Sequence, residues 1–396
     1  MKTRALQLGD VVLSADPGFA SGENPASGVV QLRMNNVSTD GAIDWSEIRR
    51  VPANGPKAEK YALAPGDVVF NSTNSPDLVG KTALFLGFKE PVVFSNHFLR
   101  IRVEREAADP GYVARWLSFQ WKRRTFENLC TRWVNQASVR KDDLLDLQMS
   151  LPELSEQRRI AERLERADRL CRTRRYALEL TDTFLPAAFL ELFGAGSFSR
   201  VALEELATDE RNSFVNGPFG SDLLTSELTD SGVPVIYIRD ISSGRYERIS
   251  SVFVTPAKAV ELRFCNAKPG DVLVAKVGDP PGIAAIYPAA EPEGIVTQDV
   301  IRIRTNTEIV SAFYLQGFLN SRLAHQEMTK IMVEGTRLRF SLGHFKEISV
   351  PAPPLALQQK FAGLVERVEY LRTVQREALR QAEHLFASLL HRAFSG

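Results

Sequence analysis

The sequence predicts an α+β protein made of two tandem copies of one plan, each a β-rich part closed by a long helix. Three observations carry this. An internal repeat stays in phase along the chain, short β-type segments fill the first part of each copy, and a helical heptad pattern ends each copy.

The repeat comes first. Pro65-Gly66-Asp67-Val68-Val69-Phe70 matches Pro269-Gly270-Asp271-Val272-Leu273-Val274 at an offset of 204 residues. Gly80 to Phe85 aligns with Gly282 to Tyr287, and Leu99-Arg100-Ile101-Arg102 with Ile301-Arg302-Ile303-Arg304, both at 202. Tyr112 to Leu117 aligns with Tyr314 to Leu319, and Leu151 to Arg158 with Ala352 to Gln359 at 201. Matches that keep their order and drift by only three residues imply a tandem duplication.

The β-type segments are Asp67–Phe70, Thr82–Leu86, Phe98–Val103, Val233–Ile238, Asp271–Val277 and Val300–Arg304. They are short, β-branched and bounded by Gly, Pro and Asn, and the Pro-Gly-Asp triplets mark turns. Short helices are expected near 110–129 and 308–332. The first long helix is expected to start near Ser155 as N-cap and to kink or end at Pro186, about 30 residues or roughly 45 Å. The second is expected from about Leu357 to Ala393. Its seam reads Phe361, Leu364, Val368, Leu371, Gln375, Ala378, Ala382, Leu385, Leu389, alternating steps of three and four. Shifted by 201, the first helix reads Ile160, Arg163, Ala167, Leu170, Arg174, Ala177, Thr181, Phe184, Ala188, with Leu164, Cys171, Leu178 and Leu185 as an adjacent stripe. Arg174 and Gln375 share a repeat position, where a polar residue either fixes register or faces solvent.

Composition narrows the classes. The 396 residues suit two or three domains, and 44% apolar with 24% charged residues excludes collagen-like and largely disordered chains. The net charge of +1 means that any nucleic-acid surface is local. Cys130, Cys171 and Cys265 are far apart, which argues against a zinc ribbon or disulfide framework and suggests a reducing, cytoplasmic setting. No signal peptide and no membrane span is expected.

Catalytic patterns are mostly missing. Asp279-Pro280-Pro281-Gly282 resembles the loop of amino-methyltransferases, but Gly282 stands where a stacking aromatic belongs and no Gly-rich cofactor loop precedes it. A proline-rich turn is the better reading. There is no P-loop, and His97, His325, His344, His384 and His391 lack ligand spacing. A binding surface has more support. Arg115, Lys122, Arg123, Arg124, Arg132, Arg140 and Lys141 face a single acid, Glu127, over 115–141, interleaved with Trp116, Trp121 and Trp133. Such a patch neutralises phosphates, although a run like Arg123-Arg124 is also the mark of a solvated helix face. The second copy offers Arg322, Lys330, Arg337 and Arg339 at the matching place.

At this point the chain resembles the specificity subunits of type I restriction-modification enzymes. The resemblance rests on Leu151-Pro152-Glu153-Leu154-Ser155-Glu156-Gln157-Arg158-Arg159-Ile160-Ala161 and its echo at 353–362. It rests also on Asn216-Gly217-Pro218-Phe219-Gly220-Ser221, the two Pro-Gly-Asp-Val strands and the duplication itself. Leu357 replaces the usual Glu in the second helix opening, and the first copy lacks the Gly-Pro-Phe-Gly run.

The resemblance implies two DNA target-recognition domains, 1–150 and 195–350, each reading one half of a bipartite site. It implies two helical spacers, 151–194 and 351–396, packed as an antiparallel coiled coil with pseudo-twofold symmetry. A 45 Å spacer would span at most roughly 13 base pairs. The chain itself would hold no catalytic residue, metal or cofactor. Two modification subunits would supply S-adenosylmethionine and adenine-N6 methylation, and two restriction subunits ATP- and Mg-dependent translocation and cleavage, as in phage defence. Base-reading loops are expected after the Pro-Gly-Asp strands, at Asn71, Ser72, Asn74 and Lys81 in one copy and Lys276 and Asp279 in the other. A second set is expected before the long helices, at Arg132, Asn135, Gln136 and Arg140, matched by Arg337 and Arg339, with Arg123, Arg124, Lys141 and Lys330 as further DNA contacts. The Phe184–Phe193 segment and the helix faces are candidates for docking modification subunits. Two other classes stay open: an assembly scaffold without sequence preference, and a methyltransferase using the Asp279 loop.

Overall fold

The Pro-Gly-Asp turns show why the two copies fold alike. The computed structural model describes residues 4–52, 55–134, 136–241, 243–333 and 337–395. Gly66 and Gly270 take the left-handed conformation, φ 97° and 91°, which a turn closed by glycine allows without strain. The buried aspartate next in sequence then has two tasks. Asp67 accepts from the Ala64 N–H at 2.9 Å and from the Arg102 guanidinium at 2.9 and 3.2 Å. Asp271 accepts from the Lys268 N–H at 2.8 Å and from Arg304 at 3.0 and 3.0 Å. Each turn thereby fixes both its own strand and the neighbouring one.

The sheets that result have the same order. One copy has a four-stranded sheet ordered Val12–Pro17, Phe98–Val103, Val68–Asn71, Thr82–Leu84. The other has Phe214–Asn216, Val300–Ile303, Val272–Ala275, Ala284–Ile286. A second sheet accompanies each, three-stranded around Val29–Leu32 and five-stranded around Val233–Ile236. The mixture of sheets and helices is the expected α+β class. The chain divides into two compact units, residues 1–175 with 377–396, and residues 176–376. Each β-rich part lies within one unit, and each unit takes a piece of both long helices.

In the first unit Val68, Phe70 and Ile101 pack on Tyr112, Trp116 and Leu117 of the helix Pro110–Lys122. That helix starts at Asp109, whose side chain caps the Tyr112 N–H, with Pro110 at its first position. In the second unit Val272, Val274 and Ile301 pack on Tyr314, Leu315 and Phe318 of the helix Ala312–Leu319. Each side chain of this size contributes about 1.5–3 kcal/mol on burial.

Both long helices have 40 residues, Leu154–Phe193 and Leu355–Phe394. Each is about 60 Å long at 1.5 Å per residue. Two expectations are corrected here. Ser155 is not the cap, because it lies inside the first turn, and Pro186 does not end the helix. Proline in a helix costs about 3 kcal/mol. Beyond it, Phe189 and Phe193 are buried against Tyr314 and Phe361, and their burial offsets that cost.

The start of each long helix is tied down by one buried glutamine. Gln157 Oε1 accepts from the Asp109 N–H at 2.9 Å, and its Nε2 donates to the carbonyls of Pro152 at 2.9 Å and Ala107 at 3.2 Å. Gln358 repeats this with the Ser311 N–H at 2.9 Å and the carbonyls of Pro353 at 2.9 Å and Ile309 at 3.2 Å. The Leu-x-x-Gln pattern in the two helix openings thus has a structural cause.

Within the first unit Ile160 and Leu164 meet Leu390 and Phe394, and Arg175 reaches Glu383 at 3.1 Å, so the helix pieces run antiparallel. Within the second, Phe189 and Phe193 meet Phe361 while Asp182 pairs with Arg372, again antiparallel. The seam is a shifted version of the expected one. Phe361, Val365, Val368, Arg372 and Ala382 are buried, whereas Leu371 and Leu385 are exposed. The first helix uses the adjacent stripe, burying Leu164, Ala167 and Cys171 and exposing Leu170 and Phe184. Arg174 and Gln375 sit half-buried at their shared repeat position.

Candidate nucleic-acid interface

The two loop sets singled out in the first copy meet in one small sheet. Thr131–Trp133 pairs antiparallel with Gln136–Ser138, and that strand pairs with Thr73–Asn74, placing Ala137 opposite Asn74 and Ser138 opposite Thr73. The turn after the Pro-Gly-Asp strand and the hairpin before the long helix are therefore one surface. The second copy repeats the arrangement through bridges from Arg339 to Val277 and to Val333. There the loop carrying Lys276 and Asp279 lies beside the segment carrying Arg337 and Arg339. Local spacing did not show this convergence, because the paired residues are more than sixty positions apart.

The side chains divide into those that build this surface and those that it presents. Asn71 is a builder. It is 0% exposed, and its amide donates to the carbonyls of Thr73 and His97 at 3.1 and 3.0 Å and accepts from Asn74 at 2.6 Å. Ser72 is buried and donates to the His97 carbonyl at 3.3 Å. Asn74, half-buried, also caps the Ser75 N–H at 2.8 Å. Lys81 is buried, its ammonium held by the carbonyls of Val37 at 2.6 Å and Met34 at 3.2 Å. Desolvation holds that ammonium's pKa below the ordinary lysine value, against the pull of Asp77. These four shape the loop from inside. Asn71 and Lys81, expected to read bases, are buried instead, with their polar atoms spent on the Asn74 side chain and on backbone carbonyls.

The presented groups come from the flanking segments. Arg124 and Arg132 are exposed and converge on one carboxylate, Glu127, at 3.6 Å each, which leaves a net positive charge. Arg132 also donates to the Glu127 carbonyl at 2.9 Å. Arg123 is exposed with its guanidinium over the Phe119 ring. Arg140 is exposed and makes a two-bond pair with Asp143 at 2.8 and 2.8 Å, which raises its already high pKa. Gln136 and Lys141 are exposed, and Asn135 lies outside the described residues. In the second unit Asp279, Lys330, Arg337 and Arg339 are exposed, Lys330 paired with Glu327 at 2.9 Å, and Lys276 is half-buried with its ammonium over the Phe219 ring.

Other members of the sequence patch belong elsewhere. Arg115 is held by Glu165 and Asp168 of the long helix at 2.8 and 2.7 Å. Trp116 is in the core and Trp121 packs on it. Lys122 lies over the Phe386 ring. The Phe184–Phe193 segment is likewise split, with Phe189 and Phe193 in the core and Phe184 and Leu190 exposed. Sequence reasoning missed Val134 and Phe219 as surface groups. Phe219 is 60% exposed, although Phe19, next to the corresponding glycine Gly18, is buried under Lys57 and Tyr61.

Gly217 explains part of the Asn-Gly-Pro-Phe motif. A Cβ there would lie 1.9 Å from the Val296 carbonyl oxygen. Among the described residues no cluster of His, Cys, Asp or Glu fits a metal ion, and no helix is long and apolar enough to cross a membrane.

Comparisons with known proteins agree with this architecture. The family model of the type I restriction modification DNA specificity domain matches residues 35–180. The putative type I restriction enzyme MjaX specificity subunit of Methanocaldococcus jannaschii is 22% identical over 351 residues, 85% of this chain and 79% of that protein. The type I restriction enzyme EcoKI specificity subunit of Escherichia coli K12 is 22% identical over 396 residues, covering 92% and 81%. The crystal structure of the type I restriction-modification system S subunit from M. genitalium superposes with TM-score 0.58 at 16% identity, over 100% of this chain and 96% of that one. A chain solved in work on complex assembly and conformational transition of the type I R-M system gives TM-score 0.58 at 21% identity, over 99% and 97%. Both likenesses show the same fold. A type I restriction modification DNA specificity domain thus matches the first half of the chain, and along most of its length the chain is similar to specificity subunits of type I restriction enzymes.

Proposed function

We propose that each unit reads one half of a bipartite DNA site and that the helix pair sets the gap between the halves. One observation carries this reading: the two loop sets come together twice, at matching places in the repeat, with exposed cations on each. In the first unit buried side chains hold the loop in shape, so the presented residues are preorganised, and preorganisation lowers the ordering cost of binding. Phosphate contacts fall to Arg123, Arg124, Lys141 and Lys330, and base edges to Gln136, Arg132, Arg337, Arg339 and Asp279.

In this reading the chain contributes recognition and no bond chemistry. Two modification subunits dock on the exposed apolar stripe of the helices, which includes Leu371, Val374, Phe184 and Leu180. They bring S-adenosylmethionine and methylate adenine at N6, while two restriction subunits bring ATP and Mg for translocation and cleavage. The complex works in the cytoplasm, on the cell's own DNA and on incoming DNA.

The test is methylation sequencing of DNA from cells expressing the chain with its modification subunit, against the modification subunit alone. Modified adenines in a two-part motif of fixed gap are expected. Exchanging residues 195–350 for the matching part of a relative then changes one half of the motif only. A stable complex that leaves no motif overturns the reading.

A further inference from the structure

Each unit leaves one aromatic ring in water at the edge of its loop cluster. In the first unit it is Trp133. The strand Thr131–Trp133 is the outer strand of the small sheet and is exposed along its whole length. The hairpin is anchored where Ala137 and Val139 are buried and where Arg132 holds to Glu127. At the far end Trp133 is 59% exposed and Val134 97%. The other three tryptophans are housed: Trp45 stacks on Phe88, Trp116 is in the core and Trp121 packs against that core. In the second unit the ring is Phe219, beside the Lys276–Val277 segment that bridges to Arg339. Gly220 comes next, with no atom within 4 Å of where a Cβ would stand.

The Phe219 ring lies under the Lys276 ammonium, and Trp133 follows Arg132 in its strand, where the Arg132 and Arg124 guanidiniums converge on Glu127. An exposed aromatic on a surface that also carries cations fits a partner that is anionic outside and offers flat apolar faces inside. Duplex DNA is such a partner. A two-stranded ribbon is narrow enough to enter the major groove, and an apolar side chain brought against the base edges can wedge between base steps, as it does in minor-groove proteins.

Resting on the reading of this chain as a DNA-recognition subunit, we propose that Trp133 and Phe219 are stacking wedges. Each enters the base stack of its own half-site and opens one step there. The wedge accounts for specificity at a position that no polar side chain touches, because the cost of opening a step depends on its sequence. It also loosens the duplex near a base that must leave the stack to be methylated. The two units carry different rings from different loops. Two half-sites then differ in which step is opened as well as in which edges are read.

The experiment uses the full chain in complex with its modification subunit, and duplexes carrying the motif found by methylation sequencing. 2-Aminopurine replaces one base at a time through each half. A several-fold rise in its emission on binding is expected at one step in each half. Trp133→Ala abolishes the rise in one half and Phe219→Ala in the other. Trp133→Phe keeps it. Each alanine variant loses about tenfold in affinity, the scale of one stacked base, with an unchanged salt dependence because no charge is removed. Both side chains are exposed, so the variants fold. A rise that persists in the alanine variants, or its absence from the wild-type complex bound to its motif, overturns the wedge and leaves the recognition reading standing. Absence of any methylation motif overturns both.

Discussion

Replacing Gln157 by leucine keeps its volume and removes three buried hydrogen bonds at once. The Asp109 N–H and the carbonyls of Ala107 and Pro152 lose a partner at 2.9, 3.2 and 2.9 Å. Each net hydrogen bond contributes about 1 kcal/mol, and a buried group left unpaired costs about 1–3 kcal/mol. The expected loss is therefore about 3 kcal/mol, roughly a hundredfold in the local opening equilibrium at tenfold per 1.4 kcal/mol. Gln358 makes the same three bonds at 2.9, 3.2 and 2.9 Å in the other unit, so Gln358→Leu must cost the same there. Native-state hydrogen exchange reads the two units separately. In Gln157→Leu the slow amides of Pro110–Lys122 exchange about a hundredfold faster while those of Ala312–Leu319 do not change, and Gln358→Leu gives the reverse. An acceleration below about fivefold, or one shared equally by both units, would refute the view that these glutamines lock their own helix openings.

Three further outcomes are expected. Arg132→Ala should lower the salt dependence of DNA binding by about one ion, whereas Lys81→Met should weaken binding without changing the slope, because Lys81 is spent on Val37 and Met34; titrations at several salt concentrations measure both. Burial raises the Asp40 carboxyl pKa, but hydrogen bonds from Ser38, the Ala42 N–H and Arg175 more than reverse this and hold it below its usual value. The stability it contributes is therefore present above the unfolded carboxyl pKa and is lost as pH falls through the lowered one; an NMR titration of the carboxyl should move upward in Arg175→Gln. Finally, residues 176–376 form one continuous unit and should unfold in a single cooperative transition, whereas a fragment of residues 195–350 lacks Phe189, Phe193 and Phe361 and should bind a hydrophobic dye through the uncovered Tyr314 and Phe318.

Six strands were legible because their cues are local, whereas Val12–Pro17, Val29–Leu32 and Phe214–Asn216 were not anticipated. Phe98–Val103 is found where expected, and the other five segments are shorter than expected or shifted by a residue. A Pro-Gly-Asp turn marks where a strand begins, and the β-branched residues after it favour the extended backbone. The site was legible in its segments and not in its side chains. An asparagine or lysine in a loop reads as a free donor. Asn71 and Lys81 instead satisfy backbone carbonyls that folding would otherwise strand. Which carbonyl needs a donor depends on contacts 26 or more residues away. Arg124 and Arg132, expected as DNA contacts, were found exposed beside Glu127. Arg115 was not, because its partners Glu165 and Asp168 lie on the long helix.

The helix seam shows a different limit. Two stripes start at Phe361 and share every second position. One runs through Leu364, Leu371 and Leu385, the other through Val365, Arg372 and Phe386. Counting apolar residues picks the first, yet the second is buried at Val365 and Arg372. Hydrophobicity ranks the stripes wrongly because a helix that carries two apolar stripes has a use for both. The chain's own partner helix takes the one whose Arg372 reaches Asp182 and Glu369, and the better apolar stripe stays outside. The repeat shows that this is a property of the plan and no accident of one helix. Leu371 and Leu385 are exposed, and the positions 201 residues earlier, Leu170 and Phe184, are exposed too. A surface left apolar at the same two places in both copies is what the proposed docking of modification subunits calls for.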